Sequence, residues 1–289
     1  MRRFWAHLRL AARNGFHHDI FGTAKGCAYS AIFAVFPALI VTAAVIARLP
    51  DSSLFRQQFS LIFDRVLPPQ VLGLLASYFR HTSETSAGLP VGASIVSLTG
   101  ASGVLLTLME GFRRAYGVPQ GTWGFWRRRI TSFLLVPISV LPLGLASVLV
   151  VFGHYIALWL YVLAPYHSRD IIYFTATAAR WVIALAGTVS ILSFIYHFGT
   201  PSSVSWRRTL PGALFATLLW FASTLGFGWY VTHFANYSRV YGSLGAGIAL
   251  LVWLYLASIS VLLGSELNAV RQVHHALAHR MASSPLHHR

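Results

Sequence analysis

Arg180 is the residue whose type and position most demand a chemical explanation. It stands about ten residues inside an apolar run at 171–197, roughly 13–15 Å from its nearer end at 1.5 Å per residue. A guanidinium at such depth in a bilayer costs at least about 2.5 kcal/mol unless it is compensated. None of the seven acids falls in the middle of an apolar run. Two readings follow: Arg180 faces an anionic group in a polar cavity, or it snorkels outward beside Trp181. Glu110 and Glu266 close two other runs, with Lys25, Arg113, Arg114 and Arg271 at comparable positions. They read first as structural ion pairs. The functional alternative for Glu110, Glu266, Lys25 and Arg113 is a gate or proton site.

Other chemistry is thinly represented. Six of the thirteen histidines form the pairs His17-His18, His274-His275 and His287-His288. No HExxH is present, and no Gly-rich Walker loop. His17-His18-Asp19 is too sparse for a metallonuclease, which needs clustered ligands to hold an activating ion. Cys27 is the single cysteine, so no intrachain disulfide can form. No nucleophile–base pair is legible. The expectation is therefore a protein with no catalytic residues, no cofactor and no metal site: not an enzyme.

The elements that must position these residues follow from composition. Of 289 residues, 56% are hydrophobic and 10% charged, against roughly 25% charged in a soluble protein. Mean hydropathy is +0.62. A spanning helix needs roughly 20 mostly apolar residues. Six segments qualify: about 26–48, 88–110, 130–163, 171–197, 209–232 and 242–268. The predicted fold is all-α, a polytopic membrane protein of six transmembrane helices over 26–268. A cytoplasmic amphipathic arm (1–25) precedes it and a basic, His-rich cytoplasmic tail (269–289) follows. In the arm, Phe4, Trp5, Leu8 and Ala12 fall at helical spacing, which suits an interfacial helix better than a cleaved signal peptide. The outer loop 49–87 carries two apolar runs at helical spacing, separated by Pro68-Pro69, and is read as two amphipathic helices. Pro37, Pro137 and Pro142 lie within spans one and three as helix-break or packing residues; Gly242 and Gly245 open span six. The Gly22/Gly26 and Gly88/Gly92 pairs suit close helix packing.

Charge then sets orientation. The formal balance is +15, and 21 of the 22 basic residues are Arg. The N-terminal arm, loop 2–3, loop 4–5 and the tail together hold fifteen basic residues, and the opposite loops hold five. Cytoplasmic loops carry such an excess, so both termini are expected in the cytoplasm. The same arginines suit anionic membrane lipids as partners. Since topology accounts for them, no nucleic acid is expected. A homo-oligomer is left open and a protein partner is unknown.

Three stretches carry a likeness. One is Ala28-Tyr29 followed by Phe36-Pro37. Another is the Trp- and Arg-rich segment 109–129. The third runs from Tyr241-Gly242-Ser243-Leu244-Gly245 through Trp253-Leu254-Tyr255 to Leu263-Gly264-Ser265-Glu266-Leu267-Asn268. With these, the chain resembles the YihY/BrkB family of bacterial inner-membrane proteins, once labelled ribonuclease BN-like. Tyr29, Tyr241 and Asn268 are the motif positions matched. Ala34 stands where the family often has serine, and Ser265 where it usually has alanine. The resemblance implies six spans, cytoplasmic termini and the bacterial inner membrane. Envelope integrity, serum resistance and transport of lipid or lipopolysaccharide precursors have been proposed for such proteins. Two functions are carried forward. The first is translocation of an anionic lipid or lipid precursor. The alternative is a non-transporting protein that supports envelope integrity or scaffolds a partner.

Overall fold

The structure, a computed structural model, describes residues 2–47, 88–140, 169–201, 205–233 and 244–283. Among the described residues there are seven helices: α1 (Arg2–His17), α2 (Ile20–Ala47), α3 (Gly88–Ala115), α4 (125–140), α5 (Arg169–Gly199), α6 (Trp206–His233) and α7 (Leu244–Ser283). Each of α2, α3, α5, α6 and α7 contains a stretch long and apolar enough to cross a membrane. A helix satisfies its own backbone polar groups in hydrocarbon, so apolar runs of this length have few other stable forms there. The protein is an all-α polytopic membrane protein.

These helices match the predicted spans, with informative differences. The third span is described only through α4, which starts at 125; residues 141–163 lie outside the described residues. So do the two helices expected within 49–87, Pro142, Tyr241, Gly242 and residues 284–289. The N-terminal arm does not run to 25. It ends at His17, and Asp19 takes a left-handed backbone conformation (φ 53°) before α2 starts at Ile20. Asp tolerates that conformation better than most residues. The helix that contains the sixth span runs past it: α7 continues to Ser283, whereas its apolar stretch ends at Val273. Pro37 does not break its helix, and α2 passes through it. Pro37 has no N–H for the Phe33 carbonyl, and in the adjacent turn Ser97 Oγ donates to the Ala34 carbonyl at 3.1 Å. Pro137 likewise lies within α4.

The chain forms two compact units. One comprises Phe21–Leu108 and Trp220–Ile259. Within it, α2 and α3 pack through small residues. A Cβ on Gly100 would come within 3.1 Å of the Ala34 N, Cα and Cβ, one on Gly103 would touch Ser30, and one on Gly26 would touch Thr107. Gly26, Ser30 and Ala34 recur every four residues, so they line one face of α2. Gly92 has open space around it and contributes no such contact. Farther along the chain, the Trp253 indole N–H donates to Thr224 Oγ1 at 3.2 Å.

The other unit comprises Met1–Ile20, Met109–Leu219 and Ser260–Arg289. Its centre is a crossing of α6 and α7 at Gly212 and Gly264. A Cβ on Gly212 would lie 2.2 Å from the Gly264 carbonyl oxygen, and one on Gly264 would lie 2.5 Å from that of Gly212. Tyr196 of α5 is fully buried against this crossing and donates its hydroxyl to the Val261 carbonyl at 2.6 Å. Phe112 of α3 meets the Tyr196 ring edge-on at 5.1 Å. Helix α1 packs onto α7 through Ala11, in a cluster with Leu267, Val270 and Phe215. The face that packs is not the predicted stripe: of its positions, Trp5 and Ala12 are exposed and Leu8 is half-buried. Phe16 is exposed too, while the small Ala11 and Gly15 face inward. Close approach to α7 needs small side chains and leaves the aromatics outside.

Gly212→Ala is expected to destabilise the protein by about 1–3 kcal/mol, the usual cost of overpacking, read as a lower thermal unfolding midpoint in detergent. Gly226→Ala, on the same helix with open space around it, should be neutral or stabilising by up to about 1 kcal/mol. Equal effects at the two positions would contradict the crossing.

Candidate functional site

Three sets of linked polar groups stand out among the described residues of the second unit. The first surrounds Glu110. On α3, Arg113 and Arg114 follow it by three and four residues, which puts all three on one helix face. Arg113 Nη2 donates to Oε1 at 2.6 Å and its Nε to Oε2 at 3.0 Å, a two-pronged grip. Arg114 Nε reaches Oε1 at 3.3 Å, and Arg128 Nη1 lies 3.5 Å from Oε2. One carboxylate thus serves three guanidiniums. Arg113 also donates to the Val118 carbonyl, which ties down the turn after α3. Arg114 reaches the His18 carbonyl at 3.5 Å and Asp19 at 4.0 Å, holding the α1–α2 junction.

The second set is Glu266 and His18. Glu266 is buried on α7, and His18 Nδ1 lies 2.7 Å from its Oε1. The other oxygen, Oε2, is buried without a hydrogen-bond partner, as is the Tyr116 hydroxyl. Burial, with the Glu266 charge adding to it, pushes the Tyr116 hydroxyl above the usual phenol range, so Tyr116 keeps its proton. Glu110 and Glu266 therefore have separate partners and do not form one group. Lys25 is exposed and belongs to the other unit. Of the four residues grouped from sequence, only Glu110 and Arg113 form a pair.

The third set centres on Asn268. Its Nδ2 donates to the Thr209 carbonyl at 2.9 Å, and its Oδ1 accepts from the Gly212 N–H at 2.8 Å. The amide is spliced into the α6 backbone beside Pro211, which has no N–H of its own. The Thr209 hydroxyl continues the chain to Ser193 of α5 at 2.6 Å. Asn268 was visible as a motif position. Thr209, Ser193 and Tyr196 were not singled out, because serine, threonine and tyrosine are unremarkable in a membrane helix. The one usable signal was the Pro211-Gly212 pair two residues beyond Thr209.

The remaining predicted positions are dispersed. Arg180 lies in α5, but its side chain is outside the described residues. Tyr29 is exposed on α2 and packs on Phe33. Gly245 is buried in the first turn of α7. Among the described residues, no three His, Cys, Asp or Glu side chains gather as metal ligands would. A cleft of about 510 Å³ opens between the start of α4 and the end of α5. Arg127 lies over the Trp123 ring at 5.0 Å on its wall, and Thr200 contributes a buried hydroxyl without a partner. Arg127, Thr122, Thr131 and His197 give it a polar, cationic lining.

Comparison with known proteins agrees with this architecture. The family profile described as virulence factor BrkB matches residues 12–286. The ribonuclease-like protein YfkH of Bacillus subtilis is 30% identical over 245 residues, covering 84% of this chain and 86% of its own. A UPF0761 membrane protein of Tolumonas auensis is 27% identical, covering 84% of this chain and 77% of its own. A UPF0761 membrane protein of Xanthomonas campestris (strain B100) is also 27% identical, but the match spans 86% of this chain and only 56% of that protein. No solved structure matches.

A double-mutant cycle on Glu110→Ala and Arg113→Ala should give a coupling energy above about 1 kcal/mol, against roughly 0.3–0.5 kcal/mol for an exposed helical pair. The unfolding midpoints of the four proteins measure it. Additive effects would mean that the grip on Glu110 does not stabilise the fold.

Proposed function

Because the chain belongs to the virulence factor BrkB family, we propose that it is a multi-pass protein of the bacterial cytoplasmic membrane that translocates an anionic lipid or lipid precursor. Both termini lie in the cytoplasm on this reading. One observation carries it: the acidic side chains described in the Arg-rich unit, Asp19, Glu110 and Glu266, are already engaged inside the protein. Asp19 and Glu110 hold Arg113, Arg114 and Arg128, and Glu266 holds His18. That leaves Arg127, Arg207, Arg208 and Arg271 without a carboxylate among the described residues. At the membrane surface, anionic lipid supplies the missing charge at about 1 kcal/mol per basic residue.

Depth supports the same reading. A bilayer core of roughly 30 Å takes about 20 helical residues. Counting from Gly247, where the last apolar stretch begins, twenty residues bring α7 to Glu266 and Asn268. Counting from Val91 brings α3 to Glu110. The basic clusters therefore sit at headgroup level. Arg180, by contrast, stands well inside the α5 stretch that begins at Ile171. It is the residue proposed to meet the headgroup during transit.

The test is transbilayer movement of fluorescent phosphatidylglycerol in vesicles reconstituted with the protein. The expected result is movement faster than in protein-free vesicles, slowed about tenfold or more by Arg180→Ala and by Arg180→Glu, in line with the loss of a charge-assisted hydrogen bond. Movement no faster than in empty vesicles would overturn translocation in favour of the envelope-supporting alternative. Movement indifferent to both variants would remove Arg180 from the account.

A further inference from the structure

A second cavity, of about 140 Å³, lies where α6 begins beside α7. Arg207, Arg208 and Arg271 line it, with Pro211, Asn268 and Gln272. Three guanidiniums around one small space repel one another, and no carboxylate is among the lining residues.

Several features of the chain add to the positive charge there instead of offsetting it. Arg207 and Arg208 occupy the first turn of α6, which contains no acid. A helix N-terminus carries a partial positive charge that favours an anion, and in this turn the Arg208 N–H is already taken by the Ser205 carbonyl at 2.9 Å. The cavity floor is fixed. Asn268 cannot turn toward a ligand, because both ends of its amide are engaged by Thr209 and Gly212. Gln272 differs: its Oε1 is buried and has no hydrogen-bond partner. Amide oxygen and nitrogen exchange places by a simple flip, so this group can present either a donor or an acceptor to an occupant. Trp206, half exposed at the head of α6, is a residue type favoured at the depth of lipid headgroups.

We propose that Arg207, Arg208 and Arg271, assisted by the first turn of α6 and by Gln272, form a binding site for a phosphate group. Guanidinium forks match tetrahedral oxyanions in two-pronged fashion, and three of them around one cavity suit a phosphate better than a single carboxylate. The phosphate belongs either to a lipid headgroup or to a free phosphate ion. The headgroup assignment rests on the anionic-lipid reading above; the site itself does not.

The test uses the full chain in neutral detergent, with binding followed by native mass spectrometry and by shift of the unfolding midpoint. Three probes are compared: phosphatidylglycerol, phosphatidylcholine and inorganic phosphate. The variants are Arg207→Gln/Arg271→Gln and, as a charge-matched comparison on α1, Arg9→Gln/Arg13→Gln. Phosphatidylglycerol should bind the unaltered protein, and the Arg207/Arg271 variant should weaken it about tenfold or more. The α1 variant should change it no more than about twofold, since neither Arg9 nor Arg13 lines the cavity. Arg207→Gln alone, at an exposed position, should give a smaller loss in the same direction and keeps the test informative if the double variant is unstable. Arginine-dependent binding of inorganic phosphate as tight as that of the lipid would support the site and overturn its assignment to a lipid headgroup. Equal losses in the two double variants would overturn the site. Because no transport is measured, the site can fail while translocation stands, and the reverse.

Discussion

The crossing of α6 and α7 at Gly212 and Gly264 is the constraint on which the basic unit depends. In lipid, helices gain little from hiding apolar surface from one another, so association relies on close packing and on hydrogen bonds between helices. Both operate at this crossing. Two glycines bring the backbones together, and the Asn268 amide bridges the Thr209 carbonyl and the Gly212 N–H. Tyr196 and Ser193 attach α5 to the same point, and Phe112 brings in the end of α3. Such hydrogen bonds average only about 0.6 kcal/mol each in a membrane protein, so it is their concentration at one crossing that matters.

Electrostatics follows from that geometry. Once α7 is fixed, Glu266 is buried where it can meet His18, and Arg271 is carried to the cavity at the head of α6. Glu110 is surrounded by three arginines that follow it in the chain. The acidic side chains described in this unit, Asp19, Glu110 and Glu266, hold helix ends and the α1–α2 junction. Arg127, Arg207, Arg208 and Arg271 have no carboxylate partner among the described residues, which is the basis of the anionic-lipid proposal.

Much of the fold could be read from the sequence, because a bilayer imposes a length and a polarity that few other structures satisfy. The runs beginning near 26, 88, 171, 209 and 242 reappear as α2, α3, α5, α6 and α7. The break between α1 and α2 was not legible. The residues that usually stop a helix, Asn14 and Gly15, lie inside α1, where Gly15 makes room for Ile20 and Leu263. The stop is instead at His18-Asp19, held by Arg114 from another helix. Long-range pairing was hidden for the same reason: His18 and Glu266 are 248 residues apart. Glu110 and Arg113 could be paired from spacing alone. The convergence of Arg207, Arg208 and Arg271 could not, because it requires knowing that α6 begins beside α7.

Amide hydrogen exchange, resolved by peptide and carried out in a lipid nanodisc, tests the central role of the crossing most directly. Local opening exposes amides with free energies that rise toward the most stable part of a structure. The account predicts that peptides spanning 207–217 and 260–270 exchange slowest in the chain, more slowly than 222–233 of the same α6 helix. It also predicts that Asn268→Ala raises exchange in both slow segments together. Exchange at 207–217 as fast as at 222–233, or an Asn268→Ala effect confined to α7, would contradict it.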